Sequence, residues 1–186
     1  MYKDEPIVIE LDIKKLAKVN FLVTVGLSFL FLILQFFLHN GFTFKITIWS
    51  TLFYIFLFIL LYILLIVLHE ASHLFGFILF GGVPFHSLKY GLNLALGVAY
   101  ATTEQPISNR AMKRALLLPF WTTGVIPTVI GFYLNSTLWL LLGAFLIAGA
   151  VGDFAMYKAL KKFPPDVLIK DDPELPRLYV YTKEGE

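Results

Sequence analysis

The sequence contains no cysteine, and charge is scarce. Without cysteine there is no disulfide framework, no thiol nucleophile and no cysteine-based metal site. Only 15% of the 186 residues are charged, whereas a soluble domain needs about a quarter to cover its surface. No internal repeat or low-complexity stretch occurs, which excludes solenoids and disordered tethers. Hydrophobic residues fill the gap: they make up 58% of the chain, phenylalanine alone counts 19, and the mean hydropathy is +0.77. The solvent for most of this chain is therefore lipid, and one membrane domain with short tails accounts for the length. A net charge of +2 and a pI near 8.7 do not indicate nucleic acid, because the lysines and arginines cluster beside apolar runs.

Four apolar runs are long enough to cross a hydrocarbon core of about 30 Å. The first is Phe21 to Leu38, preceded by a polar segment with Ile7-Val8-Ile9 as a short strand and Asp12 as a helix cap, and ended by His39-Asn40-Gly41. Asp4, Glu5, Glu10 and Asp12 dilute its basic flank, and no small-residue cleavage site follows, so it reads as an uncleaved span. The second runs from Trp49 to Leu68 and continues without a breaker through Phe80 to Gly81-Gly82-Val83-Pro84. Residues 84–104 alternate partially, with Leu92, Leu94, Leu96, Val98 and Tyr100 interrupted by Gly91 and Gly97, and predict a small hairpin at the membrane interface. A helix starts at Ser108-Asn109-Arg110, and the third span, Leu116 to Leu134, is kinked by Pro119 and Pro127. After a turn at Asn135-Ser136 the fourth span runs from Thr137 to Tyr157, and Pro164-Pro165 stops it. The tail holds a strand at Leu178-Tyr179-Val180-Tyr181. The expected fold class is an all-α polytopic membrane protein with about four transmembrane helices, a small interfacial β-hairpin and short cytoplasmic tails. Its parts are an N-terminal segment 1–18, a membrane-embedded domain 19–163 and a C-terminal tail 164–186.

Lysine and arginine set the orientation. Lys3, Lys14, Lys15 and Lys18, then Lys89, Arg110, Lys113 and Arg114, then Lys158, Lys161 and Lys162 all fall on one face, while the other shows only Lys45. Both termini are expected in the cytoplasm of a multi-pass protein of the cell membrane.

The chemistry-bearing segment is His69-Glu70-Ala71-Ser72-His73, at the cytoplasmic end of the second span. Residues four apart share a helix face, so two imidazoles can close on one metal ion with Glu70 placed to act on a water beside it. Zinc in a catalytic site takes three protein ligands and leaves one position open. Asp153 is the one carboxylate within the fourth apolar run, and it lies about sixteen residues into it, at a depth matching the histidines. Gly149 and Gly152 beside it would let another helix approach closely. The competing readings are interfacial histidines satisfied by backbone or headgroups, and an Asp153 that pairs with Lys158 or Lys161. His86 is a loop histidine or a donor near the site. His39 sits at the opposite face and is excluded from it. Asn109 and Arg110 either cap a helix or stabilise a developing oxyanion. Gly81-Gly82 is a turn, since no Gly-Lys-Ser/Thr element follows it.

The His69–His73 segment on a membrane helix, the Gly81–Pro84 break, the hairpin and Gly152-Asp153 in a late span together resemble the zincin peptidase family DUF3267. The likeness covers roughly residues 60–182, including Asp171, Asp172 and Pro173 in the tail. A more distant resemblance is to the site-2 protease class of intramembrane metalloproteases. There the helix motif supplies two histidine ligands and the glutamate base, and a later aspartate supplies the third ligand; these fall on His69, His73, Glu70 and Asp153. That class usually carries an Asn/Pro-containing segment before a Leu-Asp-Gly stretch, which Gly152-Asp153-Phe154 replaces here. The resemblance implies a Zn²⁺-dependent hydrolase acting on a peptide or membrane-protein substrate near the cytoplasmic membrane face. The alternative is a non-catalytic, metal-stabilised membrane scaffold or assembly factor. Expected partners are membrane lipid and the substrate, with no nucleic acid.

The cysteine-free background allows a direct test of orientation. Single cysteines placed at Asn135 and in the tail at Glu174 should react with an impermeant maleimide from opposite faces of the membrane, position 135 from outside. Labelling of position 135 from the cytoplasmic face alone would reverse the assignment.

Overall fold

The computed structural model describes residues 5–41, 47–93, 98–172, 175 and 177–182. The expectations placed on Lys3, Asp4, Lys45, Leu94, Leu96, Gly97 and Pro173, and on the side chain of Val98, lie outside the described residues. Among the described residues, four helical stretches are long and apolar enough to cross a membrane: Ile13–Leu38, Ile48–Gly81, Asn109–Tyr133 and Thr137–Leu160.

Each helix boundary has a local cause. Helix α1 (Ile13–Leu38) starts after Asp12, whose carboxylate accepts from the Lys15 amide at 3.0 Å, as a helix N-cap should. It ends where Asn40 and Gly41 take positive φ and the Gly41 amide reaches back to the Phe36 carbonyl at 2.9 Å, satisfying an end carbonyl. Helix α2 (Ile48–Gly81) opens on a reciprocal cap, with the Thr47 and Ser50 hydroxyls each accepting from the other residue's amide. Gly82, at φ 65°, closes it. The third stretch comprises α3 (Asn109–Pro119), a π-helical turn (Phe120–Val125) and α4 (Ile126–Tyr133). Pro119 and Pro127 donate no amide hydrogen, and the wider turn lies between them, which is the irregularity expected of this span. The fourth stretch breaks once, at Ala150, into α5 (Thr137–Gly149) and α6 (Val151–Leu160).

Strands β1 (Ile7–Glu10), β4 (Ile107–Ser108), β5 (Leu168–Asp171) and β6 (Arg177–Tyr181) form one antiparallel sheet in the order β1-β6-β5-β4. Ile7 faces Val180 and Glu10 faces Arg177, so the strand before α1 lies beside the strand that follows α6 by some seventeen residues. Strands β2 (Leu88–Asn93) and β3 (Val98–Thr103) make the expected hairpin, with Leu88 opposite Thr103. The all-α expectation therefore holds for the spans and omits the sheet. Its strands are only two to five residues long, and β1 and β6 pair across most of the chain, so no local pattern announced the partnership.

The chain forms two compact units. The first holds residues 1–16, 70–119 and 152–186. Its core joins Phe77 of α2 and Met112 and Ala115 of α3 to Leu160, Val167, Ile169, Leu178 and Val180. Each large side chain buried there contributes on the order of 1.5–3 kcal/mol. Gly76 lets α2 close on α3, since a methyl group on it would lie 2.8 Å from the Ala115 Cα. The second unit holds residues 17–69 and 120–151. Phe31 packs there on Leu140 and Ala144, and Phe58 and Tyr62 meet Phe145 edge-on. Gly149 and Gly152 admit no helix: a methyl group on either meets no described atom within 4 Å. They flank the Ala150 break instead, and close approach in the second unit falls at Gly124, Gly131 and Gly143, against Ile147, Leu140 and Thr128.

Asn109 ties two helix ends of the first unit together. Its fully buried side-chain amide reaches the carbonyls of Leu160, Phe163 and Pro164 at 3.1, 2.9 and 2.9 Å, capping α6. In return the Asn109 and Arg110 amides at the start of α3 donate to Val167 and Pro165. Asn109→Ala leaves several carbonyls without a donor in an apolar interior and should cost about 2–3 kcal/mol. Thermal unfolding in detergent should show a midpoint lower by several degrees; an unchanged midpoint would contradict the capping role.

Candidate metal centre

Helix α2 carries His69 and His73 one turn apart, both more than nine-tenths buried. The His73 Nδ1 lies 3.1 Å from the Ala115 carbonyl oxygen, and its ring stacks near Phe77 at 6.4 Å. A carbonyl can only accept, so Nδ1 carries a hydrogen and Nε2 is the nitrogen left for a metal ion. That Nε2 faces Asp153 Oδ1 at 3.4 Å. The His69 Nδ1 is 3.2 Å from the Thr123 hydroxyl, itself fully buried in the π-helical turn. Ligand atoms of His69, His73 and Asp153 all lie within 4.8 Å of one another.

The donor set fits zinc. Two imidazole nitrogens and one carboxylate oxygen suit this borderline ion, and ligands about 2.0–2.1 Å from a tetrahedral centre stand about 3.4 Å apart. The His73–Asp153 separation already has that value, and the widest pair needs to close by little more than an ångström. Glu70, half-buried, sits between the two histidines on α2.

The other expected residues fall outside this cluster. His86 is exposed in a single 3-10 turn (Phe85–Ser87). His39 bonds the Phe132 carbonyl at 3.0 Å within the second unit, as its exclusion from the site requires. Asn109 caps α6, and Arg110 is exposed. Lys158 and Lys161, offered as alternative partners of Asp153, are exposed.

Three contributors were not anticipated. Thr123 and the Ala115 carbonyl contact the histidines. Asp171, noted in the sequence only as part of the tail, lies at the end of β5 on the same strand face as buried Ile169. Burial pushes its carboxyl up to about 7, against the opposing pull of the Thr102 hydroxyl and the His73 imidazole. The signal for the first two was the spacing of the prolines, which sequence reading took only as kinks.

Residues 62–168 match the family described as "putative zincin peptidase" (DUF3267). The chain belongs to this family. Comparison with curated proteins and with solved structures returned no match. The family span of DUF3267 takes in His69, Glu70, His73, Thr123 and Asp153, and ends at Leu168, the first residue of β5.

Asp171 gives the protein a testable pH dependence. Between its ordinary value of 3.8 and about 7, the folded chain holds a proton that the unfolded chain releases. This group's contribution to stability is therefore full below the lower value and lost as pH rises through the upper one. Asp171→Asn removes that slope, so the metal-free variant should gain stability relative to wild type on going from pH 5 to pH 8. Parallel unfolding curves at both pH values would refute the assignment.

Proposed function

We propose that the chain is a zinc-dependent endopeptidase that hydrolyses peptide bonds at or just within the cytoplasmic face of the membrane. The observation that carries this reading is the convergence of His69, His73 and Asp153 within 4.8 Å, with Glu70 between the histidines; membership of the zincin peptidase family supports it. His69, His73 and Asp153 would hold the ion, which when bound supplies a Lewis acid for the scissile carbonyl and for the attacking water. Glu70 takes a proton from that water as its oxygen bonds the carbonyl carbon. It then delivers the proton to the amide nitrogen as the carbon–nitrogen bond breaks, leaving a carboxylic acid and an amine, between which the remaining water proton passes to give a carboxylate and an ammonium. The burial of both imidazoles excludes bulk water, while Asp153, whose side chain is 16% exposed, keeps the site from being sealed.

Residues 19–163 form the membrane-embedded domain in this reading, with 1–18 and 164–186 in the cytoplasm. The pairing of β1 with β6 supports it, because the strand before the first long helix and the strand after the last must then share a side. An extended substrate segment suits the hairpin, where Tyr90 and Leu92 of β2 are exposed and a strand presents its peptide bonds more openly than a helix does. A metal-stabilised scaffold would use a fourth protein ligand; the exposed position of His86 outside the cluster favours an open site.

Purified chain in proteoliposomes, with fluorogenic casein as an unfolded probe, separates metal binding from chemistry. Glu70→Gln should retain about one zinc per chain and lose cleavage by about 10²–10⁴-fold. Asp153→Asn should lose the zinc, whereas Lys158→Ala and Lys161→Ala should keep it. Undiminished cleavage by Glu70→Gln would remove the proposed base, and a gently purified wild-type chain devoid of zinc would sink the whole reading.

A further inference from the structure

A residue that meets Nδ1 of each candidate metal histidine lies four positions before a proline. Ala115 precedes Pro119, and Thr123 precedes Pro127. In an α-helix the carbonyl of residue i accepts from the amide of residue i+4, and proline has no amide hydrogen. Pro119 therefore gives nothing to the Ala115 carbonyl, which is buried in the core between α2 and α3. A buried carbonyl without its helical donor costs free energy unless another donor arrives. His73 Nδ1 is that donor, at 3.1 Å. Gly76 makes the approach possible, since any side chain there would collide with Ala115.

The second pair works through the backbone's path. Pro127 cannot donate to the Thr123 carbonyl, and its ring crowds that carbonyl, so the chain takes the π-helical turn Phe120–Val125. Within this turn Thr123 is completely buried and its hydroxyl stands 3.2 Å from His69 Nδ1.

We propose that Pro119 and Thr123 are positioning residues of the metal centre. Pro119 releases the Ala115 carbonyl to hold His73 with a hydrogen on Nδ1, and Thr123 holds the His69 ring at Nδ1, so that Nε2 of each ring is the nitrogen left for the ion. The inference rests on the metal reading above. Its content is separate: the two prolines of the third span orient the ligands, beyond kinking a helix. Partners of this kind fix tautomer and ring angle, and their loss typically weakens metal affinity 10–100-fold.

Pro119→Ala is the informative substitution, because a structural and a positioning role predict opposite results. Restoring an amide hydrogen at position 119 gives the Ala115 carbonyl back to its own helix and frees the His73 ring. Zinc affinity, measured by chelator competition on the purified chain in detergent, should fall about 10–100-fold, while the metal-free chain unfolds at the same temperature or higher. Thr123→Val should show a similar loss of affinity, and Thr123→Ser, which keeps the hydroxyl, should recover it to within a few-fold. Imidazole nitrogen shifts from ¹⁵N-labelled histidine in the zinc-loaded chain should report a hydrogen on Nδ1 and the ion at Nε2 of His73 in wild type, and a mixture of the two ligating nitrogens in Pro119→Ala. The proposal is overturned if both substitutions leave zinc affinity and the nitrogen shifts at wild-type values. It is equally overturned if Pro119→Ala loses affinity only in proportion to lost stability. A wild-type chain that binds no zinc would bring down the metal reading as well, so the two failures are distinguishable.

Discussion

Two imidazoles and a carboxylate in an apolar helical protein are tolerable only if each polar atom finds a partner, and the surrounding structure follows from that demand. His73 needs an acceptor for Nδ1, which requires a carbonyl withdrawn from its helix and a glycine opposite to let it near. His69 needs the hydroxyl of Thr123, which requires the wider turn in the third span. Asp153, in the first turn of α6, faces His73, and the far end of the same helix is tied by Asn109. Small residues, prolines and one buried amide thus appear where the polar atoms oblige them to.

Much of this was legible in the sequence because the strongest signals are local. The four spans, the Asp12 cap, the break at Gly82 and the turn at Asn135 depend on residues within a few positions of one another. The pairing of His69 with His73 follows from helical periodicity, and Asp153 was found by counting depth along a span. The four-stranded sheet was not legible as a whole. Ile7–Ile9 and Leu178–Tyr181 each read as a strand, but nothing in either names the other as neighbour, and β4 is too short to alternate. Asp171 escaped for a related reason, since its inward direction depends on the register of β5 against β6. Gly149 and Gly152 misled because glycine serves equally for close packing and for a helix break, and only the neighbours decide between them.

The four long helices divide into two kinds. Along their most apolar stretches α1 and α2 bury 11% and 6% of residues within the protein, against 44% and 39% for the third and fourth. The first half of α2 is apolar around almost its whole circumference, with Trp49, Phe53, Phe56, Ile59, Ile63 and Val67 all exposed. Its last turns, by contrast, carry His73 and Phe77 into a packed core. One helix therefore meets two environments along its length, and the chemistry-bearing residues sit where one gives way to the other.

The antiparallel pairing of β1 with β6 has a consequence for how the chain comes to be assembled. For a chain whose long helices cross a bilayer, two strands at opposite ends of the sequence can meet only after an even number of crossings. The pairing is thus a parity condition on insertion. With three spans threaded, β6 would be stranded across the membrane from its partner, and both strands would keep unpaired edges and an uncovered row of Ile, Leu and Val. In such a chain, closure of the sheet would follow arrival of the last helix, which is also the helix that brings Asp153. Until then His73 would lack the carboxylate that faces it in the folded chain.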